Sequence, residues 1–152
     1  MITISIIGLD QFVVAKYSLE HTKPLANLFE TPMDNLNFYA PNCSFYHAGI
    51  DQTSWNTLVR VHAPKQYEAL EDKISKYLLS TLAEFSINIA IEFFYYLPRN
   101  RHEFVNPEYP RFMTHENVVD IEHDDEDEDD EIDDEEEIYD GNVFAGIEDK
   151  IK

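Results

Sequence analysis

The chain has 152 residues, of which 31 are acidic and 11 are lysine or arginine, for a net charge of −20. That balance repels phosphate backbones and anionic lipid, so the expectation is no direct nucleic-acid binding, no membrane association, and a basic protein as the favoured partner. The one cysteine, Cys43, permits no intramolecular disulfide and fits a reducing, cytoplasmic setting.

Ile2, Ile4 and Ile6 alternate with Thr3 and Ser5, the period-two pattern of a half-buried strand that Gly8 ends. No positive region precedes this apolar start and Asp10 interrupts it, so it does not read as a signal peptide. From Leu9 to about Glu30 the composition turns helical, with Phe12, Ala15, Leu19, Leu25, Leu28 and Phe29 at helical spacing. Pro24 inside that stretch predicts a kink or two abutting helices. Leu36 to Tyr39 and Ser44 to His47 predict an extended or broken second strand, and Gly49 to Ser54 a loop. Trp55 to His62 alternates again, with Trp55, Thr57, Val59 and Val61 on one side and Asn56, Leu58, Arg60 and His62 on the other.

Pro64 stops that strand. Between Gln66 and Phe85 an apolar stripe of Tyr67, Leu70, Ile74, Tyr77, Leu78, Thr81, Leu82 and Phe85 predicts an amphipathic helix. Ile87, Ile89, Ile91, Phe93 and Tyr95 then give one face of a last long strand, ended by Leu97-Pro98. Ile89 to Leu97, the longest apolar stretch, contains Glu92 and is far too short to cross a bilayer.

The order β-α-β-β-α-β predicts an α+β sandwich, with both helices over one face of a four-stranded sheet. The opposite face is expected to carry Phe, Tyr and Trp with no covering layer, and so to become a subunit interface.

Beyond this domain, set at residues 1–113, the composition changes abruptly. Between residues 116 and 152 nineteen acids meet only Lys150 and Lys152, and from Asp124 to Glu137 only Ile132 interrupts the acids. Residues 114–152 read as a disordered acidic tail. Asp125, Asp127, Asp129 and Glu136 fall in a calcium-loop register, but position six is Asp130 where the turn needs glycine. Ile138, Tyr139, Val143, Phe144 and Ile147 form an apolar cluster behind the acids and are the interaction-tail candidates.

The run from Asn56 to Ile74 (NTLVRVHAPKQYEALEDKI) and the strand from Ile87 to Leu97 (INIAIEFFYYL) resemble a family of small uncharacterised bacterial proteins. That family belongs to the structural superfamily of tautomerases and macrophage migration inhibitory factor (MIF). The resemblance spans roughly residues 1–110. It implies a β-α-β unit in pseudo-twofold duplicate and a homo-oligomer, with a trimer favoured. It also implies an N-terminal proline as general base, but here Met1 is followed by Ile2, so proline-type chemistry does not carry over.

Arg60 and His62 share a strand face and Glu92 falls on the next strand. An arginine, an imidazole and a carboxylate together can bind a small acid and move a proton, so these three are the catalytic candidates. A plain cross-strand charge pair is the competing reading. Arg99, Arg101 and His102 are the anion-binding candidates. The six histidines and single cysteine show no metal-ligand spacing, so no metal and no cofactor are expected. The combined expectation is a tautomerase-like, non-catalytic, oligomeric interaction protein with an acidic tail. The alternatives are a small-molecule isomerase with a non-proline base, and an acidic decoy of a nucleic-acid-binding protein.

Overall fold

Alternating isoleucines place β1 (Ile2–Ile7) in the middle of the sheet, with Ile2, Ile4 and Ile6 fully buried beneath two helices. The computed structural model describes residues 1–41 and 43–114, and the structural statements below concern those residues. The tail candidates Ile138, Tyr139, Val143, Phe144 and Ile147 lie outside them.

Gly8 ends β1 at φ +90°, and a Cβ there would sit 2.3 Å from the Asn56 carbonyl oxygen and 2.8 Å from the Phe45 ring. Only glycine fits that turn. Asp10 then caps α1 (Gln11–Leu28), its carboxylate accepting the Phe12 N–H at 2.8 Å. One helix runs through Pro24, so of the two expectations there the pair of abutting helices does not form. The carbonyl that proline leaves without a donor belongs to exposed Glu20, where water can serve it. At the far end Glu30 adopts φ 54°, while the Glu30 and Thr31 amides bond back to Asn27 and Ala26, a Schellman closure.

A single 3-10 turn leads into β2 (Leu36–Tyr39). The expected loop at 49–54 is partly a hairpin instead: β3 (Tyr46–His47) pairs with β4 (Ile50–Asp51). Its Ala48-Gly49 corner has φ 50° and 82°, the left-handed values of a tight hairpin turn. Next, β5 (Asn56–Pro64) starts one residue after exposed Trp55. The predicted helix from Gln66 divides into a 3-10 segment, Lys65–Leu70, and α2 (Glu71–Leu82). β6 (Asn88–Tyr96) follows, leaving Ile87 outside it and exposed.

The sheet order is β2-β1-β5-β6, with β1/β2 and β5/β6 parallel and β1/β5 antiparallel. This is the α+β, β-α-β-β-α-β layout, with one added hairpin. α1 packs toward β2 and α2 toward β6. Their inner faces meet Ile2, Ile4, Ile6, Val59, Val61 and Ala63, all buried. A polar clamp joins the helices. Thr81 gives its hydroxyl proton to the Tyr77 carbonyl at 2.9 Å, so the Tyr17 hydroxyl, 2.6 Å away, donates to Thr81. His21 Nδ1 lies 2.8 Å from the Tyr77 hydroxyl and stacks on Tyr17. Among the described residues no helix is long and apolar enough to cross a membrane.

Candidate functional site

The face of the sheet turned away from the helices carries what the alternation leaves over, and the register arranges it in rows. Asn37, Thr3, His62 and Phe94 form one, and Tyr39, Ser5, Arg60 and Glu92 the next. Ile7, Leu58 and Ala90 form a third, apolar row. The face is therefore mixed: Tyr39, Phe94 and Tyr96 supply the expected Tyr and Phe, among polar and aliphatic neighbours. Phe93 and Tyr95 pack against the helix-side core, and Trp55 precedes the strand.

The structure brings two of the three catalytic candidates into contact. Arg60 Nε donates to Glu92 Oε2 at 2.9 Å, while both side chains remain nearly half exposed. One guanidinium N–H and one carboxylate oxygen thus make a cross-strand charge pair. His62 turns instead to Phe94, stacked with ring centroids 4.8 Å apart.

His62 does meet part of the second candidate set. An open cleft of about 340 Å³ is lined by His62, Tyr96, Asn100, Arg101 and His102. The parallel pairing of β5 and β6 builds it: both strands end at the same margin, so the turn after Leu97 delivers residues 100–102 beside His62. Arg99 sits in that 3-10 turn but does not line the cleft. Arg101 lies over the Tyr96 ring at 5.9 Å and donates to Glu103 at 3.1 Å. That hydrogen bond is the main reason the Glu103 carboxyl is held below the usual range, with the Arg111 charge adding to it.

A second cleft, about 360 Å³, is lined by Met1, Glu103, Tyr109 and Arg111 among others. Tyr96 donates its hydroxyl to the Met1 carbonyl, and Arg111 bonds Glu103. Burial lowers the pKa of the Met1 amino group, and the Arg101 charge lowers it further. Arg101 and Arg111 thus share one carboxylate, Glu103, and Arg101 stands beside two imidazoles, a local positive excess in a strongly acidic chain. Tyr96 and Asn100 were missed in the sequence. The available signal was the shared end of two parallel strands, where ligands collect in α/β sheets. Among the described residues no His, Cys, Asp and Glu group has a metal-holding arrangement.

No protein-family model matches the sequence, and no curated protein matches it. Solved structures do resemble the fold. A domain of unknown function from Sebaldella termitidis has a TM-score of 0.61 at 17% identity, covering 68% of this chain and 95% of its own. A macrophage migration inhibitory factor-like protein from Entamoeba histolytica gives 0.53 at 11%, covering 68% and 93%. A protein of unknown function from Vibrio cholerae gives 0.50 at 14%, covering 67% and 83%. The chain therefore shares its fold with these three proteins, the macrophage migration inhibitory factor-like one among them.

Proposed function

We propose that this tautomerase-like chain is a self-associating interaction protein that binds a small organic anion in the His62–Arg101–His102 cleft and does not use it for proline-type catalysis. The observation that carries this reading is the division of the basic groups. Arg60 is paired with Glu92 away from the cleft, whereas Arg101 borders it with His62 and His102 and shares its partner Glu103 with Arg111, which leaves an excess of positive charge there. Arg101 would supply the charge, the imidazoles and Asn100 further hydrogen bonds. Self-association is supported by the sheet face that no helix among the described residues covers. The acidic residues 114–152, with their apolar cluster, would serve as the segment that engages a basic protein.

Titrating the full chain with phenylpyruvate, while following the His62 and His102 imidazoles by NMR, tests the site. Arg101→Ala should lose about tenfold or more in affinity and His62→Ala severalfold, with Arg60→Ala unchanged. Unchanged binding in Arg101→Ala would remove the anion site. An enol–keto conversion rate sensitive to His62→Ala would replace this reading with the isomerase one. A chain that sizes as a monomer at every concentration would remove self-association. Loss of residues 115–152 without loss of a captured basic partner would remove the tail's role.

A further inference from the structure

The outward face of α1 is neither part of the core nor part of the anion cleft. Val14, Tyr17 and Leu25 point into the molecule and are buried, which leaves Phe12, Lys16, Leu19 and Lys23 on one line facing away from the sheet. Their spacings of four, three and four residues keep them aligned along the helix. Phe12 is 76% exposed and Leu19 78%. Beside them lies an open depression of about 560 Å³. Four of its lining residues, Ala15, Ser18, Leu19 and Thr22, fall at i, i+3, i+4 and i+7, with Met33 also on its border. That is the four-residue hole that receives one side chain of a facing helix, and Ala15 and Ser18 are small enough to keep it open.

We propose that this face docks an amphipathic helix of a partner protein, one with an apolar anchor for the depression and acidic residues on its flank. Charge selects the flank: Lys16 and Lys23 alternate with the apolar side chains, and Glu20, the one acid in α1, falls to the side of their line. A lipid surface fits less well. Polybasic membrane sites gather about four to eight cationic residues, and a flat bilayer has no knob to fill a hole. A second copy fits less well too, because two-fold pairing of the same face would bring lysine rows together.

The test uses the full chain and a fluorescent synthetic amphipathic helix of roughly 18 residues, with leucine along one stripe and glutamate beside it. Saturable binding by anisotropy is expected. Lys16→Glu combined with Lys23→Glu should weaken it about tenfold or more, and replacing the peptide's glutamates by lysine should restore it. Ala15→Gln, which fills the depression without changing the charge, should weaken both peptides alike. All these positions are exposed, so circular dichroism should show unchanged folding. No binding, or binding indifferent to these substitutions, overturns the proposal. Binding of the chain to phosphatidylserine vesicles in place of the peptide would also overturn it and make the face a lipid contact.

Discussion

Arg60 and Glu92 are both nearly half exposed, so their 2.9 Å contact adds little to the stability of an isolated chain. Glu92→Ala should shift urea unfolding of the monomer by less than about 1 kcal/mol. Self-association through this face reverses the weighting. Covering the sheet would bury an unpaired Arg60, a cost on the order of 3 kcal/mol, so Glu92→Ala should weaken assembly in sedimentation runs far more than it weakens the fold. At Gly8 the physics is steric. A methyl group would collide with the Asn56 carbonyl at a φ that L residues avoid, so Gly8→Ala should cost more than about 3 kcal/mol in the same urea measurement.

Between the helices, burial pushes the Tyr17 phenol up to about 12 from 10. A pKa raised in the folded state favours the neutral phenol there. Its contribution is complete below pH 10 and is lost as pH rises toward 12, about 3 kcal/mol for two units. Tyr17→Phe should cost about 1 kcal/mol at pH 8 for the lost hydrogen bond, yet show a shallower alkaline decline when urea unfolding is repeated near pH 12. Closing α1, Glu30 holds a left-handed φ of 54°, so Glu30→Gly should stabilise the chain by about 0.5–1 kcal/mol. The sequence made the strands and the α2 stripe legible because one face of each is buried, and Ile74, Leu78 and Leu82 do form the inner line. It was less informative for α1. Phe12, Ala15 and Leu19 keep helical spacing on the exposed side, and periodicity alone does not say which apolar line faces in. The β3–β4 hairpin escaped notice because its four residues are exposed and show no alternation to read.

For the whole molecule, the candidate site was legible only in fragments. Arg60, His62 and Glu92 were grouped by strand pairing, which is local in register. The cleft depends on where the chain goes after β6, and no spacing rule joins His62 to Asn100. Assembly should also respond to salt in an unusual direction. With a net charge of −20, copies repel at low ionic strength, and screening over about 8 Å at physiological salt relieves this. Light scattering should therefore show larger particles as salt rises; dissociation by salt would point to ion pairs holding the copies together. A last consequence follows from the sheet order, which leaves nine-residue β6 at the margin. Its sequence, NIAIEFFYY, is a ready template for edge-to-edge stacking into fibrils, interrupted by one charge. Glu92 is then a gatekeeper against amyloid as well as a salt-bridge partner. Unassembled Glu92→Val chains should nucleate thioflavin-positive fibrils sooner than the parent chain.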